Sequence, residues 1–139
     1  MNINVQLLDP KARCPYRAHA TDAAMDLFCL REHYLDPGVP VLVKTGIAME
    51  IPRGYMGLIL DRSSMARDGF FVTGGVIDSG YRGEIQIILN NQTGKTQILS
   101  EGQKVAQMLI LPCPEYQVHE VIQLFPGERG ANGFGSTGT

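Results

Sequence analysis

Short apolar runs alternate with clusters of glycine, proline and polar residues along nearly the whole chain. Near the start, Ile3, Val5 and Leu7 alternate with polar neighbours, which predicts a strand over residues 2–8 because successive side chains of a strand point to opposite faces. Only residues 62–68 lack strand character, and they end at a glycine, which predicts a short helix. Many short strands with one short helix predict an all-β fold, a β-sandwich of the jelly-roll type. The other predicted strands cover residues 26–30, 39–43, 47–51, 55–60, 70–72, 96–99, 105–111 and 118–124.

The middle of the chain carries its densest polar chemistry. Two β-branched arms, residues 76–77 and 85–89, flank a polar turn around Ser79-Gly80, and this pattern predicts a β-hairpin. Such a hairpin holds Asp78 and Tyr81 close together on rigid strands, where a carboxylate can be positioned against a flat ligand. The alternative is a charged turn at the edge of a sheet, without a ligand.

The last fourteen residues differ in composition from the rest. Residues 126–139 contain five glycines and cannot bury a core, so we expect a jelly-roll domain over residues 1–125 followed by a flexible segment. This segment also carries Arg129, Phe134, Ser136 and Thr137. A cation, an aromatic ring and two hydroxyls on a flexible strap predict a lid that orders over a ligand.

Length, charge and cysteine content limit the possible functions. The 139 residues form one domain, and the net charge of −2 without clustered lysine or arginine argues against a nucleic-acid partner. The three cysteines have no CxxC spacing, which predicts reduced thiols and a cytoplasmic location, or the host cytoplasm if a virus or phage encodes the chain. We expect no signal peptide and no membrane span, because no apolar run approaches ~20 residues.

Three further positions suggest chemistry on a phosphorylated ligand. Asp26 and Asp78 stand at the mouths of predicted strands, where a carboxylate can deprotonate a water or hold a magnesium ion. Residues 61–64 offer a guanidinium and two hydroxyls at a possible helix start, which suits a phosphate, although a simple helix cap explains the same residues. Gln107 lies within an apolar run, where its amide can bind a neighbouring backbone or a phosphate oxygen.

Taken together, these stretches resemble the five ordered motifs of the trimeric dUTP pyrophosphatases (dUTPases). The similarity spans roughly residues 20–138, and the third and fifth motifs are the most specific. Four positions depart from the family pattern: Ala24-Met25 replaces a usual Gly-Tyr pair, Asp61 replaces a glycine or proline, and Gly80 replaces a frequent acid. The segments similar to the five motifs are residues 23–27, 61–66, 75–85, 102–107 and 129–138.

The resemblance implies a jelly-roll subunit in a homotrimer with active sites at the subunit interfaces. Asp78 would hold and activate the attacking water, and Tyr81 would lie under the deoxyribose. Glu84 is expected to brace Arg82 rather than to face the ligand. The hairpin backbone that would read the uracil edge consists of Gly75, Val76 and Ile77.

The resemblance also implies how the triphosphate is held. Mg²⁺ would bind mainly to the triphosphate, and Asp26 could reach it through a water. A tail from a neighbouring subunit would close the site, with Phe134 stacked on the uracil and Gly135 in the same segment. The residues implied to contact the phosphates are Arg62, Ser63, Ser64 and Gln107 of one subunit, and Arg129, Ser136 and Thr137 of the exchanged tail.

The implied activity is the hydrolysis of dUTP to dUMP and pyrophosphate, which limits uracil incorporation into DNA and supplies dUMP for thymidylate synthesis. One alternative is a dCTP deaminase of the same fold, but that family needs a glutamate where Ile88 stands. The other is a regulatory binding protein, which we expect to have lost the water-holding aspartate or the tail. Asp78 and the whole tail are present here.

Overall fold

Ten strands and one helix of five residues make up the described part of the chain, which comprises residues 1–128 and 130–131 of the computed structural model. Most predicted strands are found within one or two residues of their expected bounds. In chain order the elements are β1 (Asn4–Leu7), β2 (Met25–Phe28), β3 (His33–Leu35), β4 (Val41–Glu50), β5 (Tyr55–Leu60), α1 (Ser63–Arg67), β6 (Phe70–Thr73), β7 (Val76–Ile77), β8 (Glu84–Asn91), β9 (Gln97–Leu99) and β10 (Lys104–Pro112).

The strands form two antiparallel four-stranded sheets with a two-stranded ribbon beside them. The first sheet has the order β1-β4-β8-β6 and the second the order β2-β10-β5-β7, while β3 pairs with β9. Because consecutive strands often lie in different sheets, the chain crosses repeatedly from one layer to the other, as in a jelly roll. The predicted all-β jelly-roll sandwich with one short helix is confirmed.

The core lies between the two sheets and follows the alternation of the strands. In β8, Ile85, Ile87 and Leu89 are fully buried, whereas the residues between them are at least partly exposed. Side chains from the facing sheet complete this layer, and their burial supplies the main stabilising free energy. They include Leu27, Ile59, Val105, Ala106 and Met108.

One long strand replaces the two short strands predicted on either side of Thr45-Gly46. β4 continues through this point because a bulge absorbs the extra residues, with a register shift between Lys44 and Ala48. Gly46 has a φ of 70°, a conformation that glycine adopts without strain. Its N–H donates to Glu84 Oε1 at 2.9 Å, so Glu84 stabilises the bulge, and the expectation that it braces Arg82 was wrong.

The predicted central hairpin was also wrong. β7 pairs with β5, with Ile77 opposite Gly57, whereas β8 pairs with β4 and β6 in the other sheet. Residues 78–83 therefore cross from one layer of the sandwich to the other. The two arms look like hairpin partners in sequence, but each completes a different sheet.

The predicted strand over residues 118–124 was wrong as well. The chain is irregular beyond β10, and the large apolar side chains of this segment are exposed, with Ile122 and Phe125 almost fully so. An apolar segment forms a strand only where its backbone can pair with a sheet edge and its side chains can pack against a core. Among the described residues, no helix is long and apolar enough to cross a membrane.

Candidate active site

The candidate site residues fall into two groups at opposite ends of β5. Ile77 pairs with Gly57, so the next residue, Asp78, lies beside Met56 near the start of the strand. Arg62 follows the other end, where Leu60 pairs with Gln107. Six residues separate Met56 from Arg62, which corresponds to roughly 20 Å at about 3.3 Å per residue of extended chain. The structure therefore does not bring Asp78 and Arg62 of one chain together.

The first group lines a narrow slot between β7 and β8. The cavity has a volume of about 180 Å³ and exists because these two segments belong to different sheets instead of pairing with each other. Asp78 also borders a larger cavity of about 600 Å³ on its other side. The slot is lined by Val76, Ile77, Asp78, Tyr81, Glu84 and Gln86.

A tight turn fixes Asp78 and Tyr81 relative to each other. The Tyr81 N–H donates to the Asp78 carbonyl at 3.1 Å, and the Tyr81 hydroxyl donates to the Glu84 carbonyl at 3.0 Å. The ring lies over Gly83, where a Cβ would come within 2.4 Å of the hydroxyl oxygen. Asp78 and Tyr81 thus line the same slot, although the turn that joins them is not that of a hairpin.

Arg82 holds the same turn from the other side. Its Nη1 donates to the carbonyls of Ser79 at 2.7 Å and Tyr81 at 2.9 Å, and its Nη2 lies 3.6 Å from Glu50 Oε1. The guanidinium therefore acts as a clamp on the backbone, and its charge partner is Glu50 rather than the predicted Glu84.

The second group surrounds a cavity of about 530 Å³ at the far end of β5. Asp26 is its organising residue, because one carboxylate oxygen accepts from Arg62 Nε at 2.9 Å and the other lies 2.7 Å from Lys104 Nζ. The hydrogen bond from Lys104 to Asp26 raises the pKa of Lys104, and a hydrogen bond to Tyr16 makes a smaller contribution in the same direction. The cavity is also lined by Ser63 and Gln107, so it combines two cations, a hydroxyl and an amide.

The helix that follows Arg62 starts without a side-chain cap among the described residues. Arg62 itself is extended, with φ −80° and ψ 142°, and Ser63 and Ser64 are exposed in the first turn. The alternative interpretation of residues 61–64 as a helix cap therefore does not hold. Free backbone N–H groups and hydroxyls at this position suit an anion.

Gln107 is anchored to the residue before Arg62. Its Nε2 donates to the Asp61 carbonyl at 2.7 Å, as expected for an amide that satisfies a neighbouring backbone. An amide nitrogen carries two hydrogens, so one remains for a ligand in the cavity. The backbone and phosphate interpretations of this residue are therefore compatible.

The described residues contain no group of three or more histidine, cysteine or acidic side chains that could hold a metal ion. Asp26 uses both oxygens on cations, so its donor set does not make a magnesium site by itself. The candidate tail residues Arg129, Phe134, Gly135, Ser136 and Thr137 lie outside the described residues.

Sequence reasoning missed Lys104, Glu50 and Gln86. Lys104 had a usable signal, since it stands within the segment 102–107 that resembles a family motif. Glu50 and Gln86 had no such signal in the sequence. Glu50 pairs with Arg82, which is distant in sequence, and Gln86 lines the gap between the two sheets.

Comparison with known proteins shows which family the chain belongs to. A family model described as dUTPase matches residues 10–138. The chain is 42% identical over 139 residues to the deoxyuridine 5′-triphosphate nucleotidohydrolase of Clostridium tetani, covering 98% of this chain and 96% of the relative. It is 44% identical to that of Clostridium novyi, covering 99% of both.

Solved structures give the same result. The dUTPase of Staphylococcus bacteriophage 80alpha, solved as a variant with dUpNHpp, superposes with a TM-score of 0.92 at 28% identity and 99% coverage of both chains. A dUTPase variant from phage phi11 of S. aureus, described with a structural Mg(II) ion, gives a TM-score of 0.81 at 29% identity, covering 88% of this chain and 98% of that one. With sequence motifs, fold and full-length relatives in agreement, this chain belongs to the dUTPase family.

Proposed function

We propose that this dUTPase hydrolyses dUTP in a site built from two neighbouring copies of the chain, with the nucleoside at Asp78 of one copy and the triphosphate at Arg62 of the other. The observation that carries this proposal is the separation of the two groups along β5. Among the described residues no cation lines the slot beside Asp78 and Tyr81, because the nearby Arg82 is engaged with backbone carbonyls and Glu50. Asp26, the carboxylate bonded to Arg62, is paired with cations at both oxygens and is therefore not free to activate a water.

The slot between β7 and β8 suits a uracil base. Its walls diverge into different sheets, and β7 pairs with β5 along one edge only, where the Gly75 carbonyl accepts the Ile59 N–H. The backbone groups of Gly75, Val76 and Ile77 that point away from β5 are not paired with β8 and can bond to the base edge. A volume of about 180 Å³ accepts one flat ring and little more. Tyr81, which also lines the slot, takes the deoxyribose.

Asp78 serves as the base. Its carboxylate removes a proton from a water whose oxygen attacks the α-phosphorus, while the bond from that phosphorus to the α–β bridging oxygen breaks. The products are dUMP and pyrophosphate. Positive charge from Arg62, with hydrogen bonds from Ser63, Ser64 and Gln107, stabilises the charge that develops on the phosphate oxygens.

Mg²⁺ is proposed as the cofactor, held chiefly by the triphosphate, whose negative charge it partly neutralises. Asp26 reaches the ion only through a water in this proposal, because Arg62 and Lys104 occupy both carboxylate oxygens. The principal role of Asp26 is to orient Arg62. This division agrees with the lack of an acidic cluster among the described residues.

Residues 126–139 complete the proposal as a lid contributed by a neighbouring copy of the chain. Arg129, Ser136 and Thr137 close on the outer phosphates, and Phe134 with Gly135 covers the uracil. A homotrimer provides one such tail for each site. We place the enzyme in the cytoplasm, without nucleic-acid or membrane partners.

Mixed trimers test this arrangement. Asp78→Asn should lower turnover ~10²–10⁴-fold, because it keeps the shape but removes the base, and Arg62→Gln should also be nearly inactive. When equal amounts of the two variants are unfolded and refolded together, about a quarter of the sites combine an intact Asp78 with an intact Arg62 from another chain, one half multiplied by one half.

The measurement is release of pyrophosphate from dUTP with Mg²⁺, alongside release of ammonia from dCTP. Recovery of activity in the mixture supports a site shared between chains, and a mixture as inactive as its components refutes it. Ammonia release without pyrophosphate would indicate a deaminase instead.

A further inference from the structure

We propose that Asp61 is a positioning residue for triphosphate binding, a role that rests on the proposed function of Arg62, Ser63 and Ser64. It does not touch the substrate. Asp61 fixes the backbone from which these three side chains extend. It does so through two hydrogen bonds, one accepted by its side chain and one accepted by its backbone carbonyl.

The side-chain bond joins the two sheets. Asp61 follows β5 of the second sheet, and its Oδ1 accepts the backbone N–H of Val72 in β6 of the first sheet at 2.5 Å. A charged acceptor forms a stronger hydrogen bond than a neutral one. The start of the phosphate-binding turn is thereby tied to a strand on the other layer of the sandwich.

The carbonyl bond joins Asp61 to the phosphate cavity itself. Its oxygen accepts the Gln107 amide at 2.7 Å, and Gln107 lies in β10 opposite Leu60. Asp61 is thus held at two atoms from two directions. The next residue, Arg62, is then held by Asp26 at 2.9 Å, so two consecutive residues have anchored side chains before the helix begins.

The direction of the carboxylate explains how an acid is compatible with a neighbouring phosphate site. The residues that line the cavity include Asp26, Arg62 and Gln107, but Asp61 is not among them. Its charge faces the Val72 N–H instead of the space that the triphosphate would fill. The acid therefore supplies an anchor without adding its charge to the wall of the site.

The test separates phosphate contacts from nucleoside contacts. Dissociation constants are measured for dUpNHpp with Mg²⁺ and for dUMP, together with kcat and KM for dUTP, in the full-length wild type and in Asp61→Ala and Asp61→Asn. We expect Asp61→Ala to weaken dUpNHpp binding and raise KM about tenfold, since the anchor holds the turn in place. The affinity for dUMP should change less than about twofold, because Tyr81 and the uracil slot are unaffected. Asn keeps an acceptor at the same position, so Asp61→Asn should stay within about threefold of the wild type.

Asp36→Ala is the matched control, since it removes another carboxylate that accepts a hydrogen bond, in this case from the hydroxyl of Thr96, the residue before β9. Neither Asp36 nor Thr96 lines the cavities of the two candidate groups. If Asp61→Ala does not fold, Asp61→Ser replaces it, because its shorter side chain cannot reach Val72. Unchanged dUpNHpp binding would overturn the proposal, and so would an equal loss for dUpNHpp and dUMP, which indicates general destabilisation. A wild type that does not hydrolyse dUTP would instead overturn the proposed function.

Discussion

Replacing Gly75 with alanine tests how closely the nucleoside slot depends on the packing of β7 against β5. A Cβ at Gly75 would lie 2.2 Å from the Ile59 carbonyl oxygen and 3.1 Å from the Ile59 carbonyl carbon. A carbon–oxygen contact needs roughly 3.3 Å, so the backbones must separate by about 1 Å. No side chain can rotate to relieve this clash, because the obstructing atoms belong to the backbone.

Two costs add up in this variant. Separation strains the bond from the Ile59 N–H to the Gly75 carbonyl, now 2.8 Å long, which contributes about 1 kcal/mol. Inserting a methyl group into a filled space costs about 1–3 kcal/mol. We therefore expect the free energy of unfolding to fall by roughly 2–4 kcal/mol in total.

We also expect a catalytic effect that is separate from the loss of stability. Asp78 is three residues from Gly75, and a displacement of about 1 Å at a catalytic group can reduce the rate ~10²-fold. Urea unfolding measures the first effect, and kcat for dUTP at a temperature where the variant is folded measures the second. Gly80→Ala is the control, because a Cβ there meets nothing within 4 Å. If Gly75→Ala is as stable and active as Gly80→Ala, the close approach of the two strands does not shape the slot.

Two further predictions concern the sugar and the tail. The wild type should disfavour UTP at least ~10²-fold, because a ribose hydroxyl at the Tyr81 ring would be buried without a partner, and Tyr81→Ala should lower activity on dUTP and raise the ratio of kcat/KM for UTP to that for dUTP. Tyr81→Phe keeps the ring and is the control. A wild type that accepts both nucleotides equally would contradict this role. Deleting residues 126–139 should leave folding and assembly intact but abolish most dUTP hydrolysis. Calorimetry measures folding, sedimentation measures assembly, and pyrophosphate release measures hydrolysis. Full activity after the deletion would show that the tail is not a lid.

Local patterns predicted most strands because alternation depends only on neighbouring residues. Tyr55–Leu60 appears with its predicted bounds, and the helix differs from its prediction by one residue at each end. The bulge in β4 was not predictable in the same way. Its position depends on Glu84, a residue 38 positions away that accepts the Gly46 N–H.

Strand partners were harder to predict than strands. The arm at Val76-Ile77 is only two residues long and carries no signal that it pairs with β5 instead of β8. For residues 118–124 a strand was predicted from their apolar character, although they pair with no sheet edge in the described part of the chain. In both cases the deciding contact is distant in sequence.

The candidate site was predicted as a set of residues but not as two separate groups. Asp78, Tyr81, Arg62 and Gln107 all line cavities, as the sequence suggested. Their division between the ends of β5 follows from strand register, which composition and motifs do not encode. The roles of Asp26 and Asp61 as anchors emerged only from their bonds to residues far along the chain.

The bond between Asp61 and Val72 has a consequence for solubility as well as for the site. β6 is the outermost strand of its sheet, and an outermost strand offers backbone groups to which a foreign strand can add. The Val72 N–H is already taken by a carboxylate, so an approaching chain would have to displace a charged acceptor before it could pair there. The same side chain that holds the phosphate-binding turn thus protects the neighbouring sheet edge against aggregation.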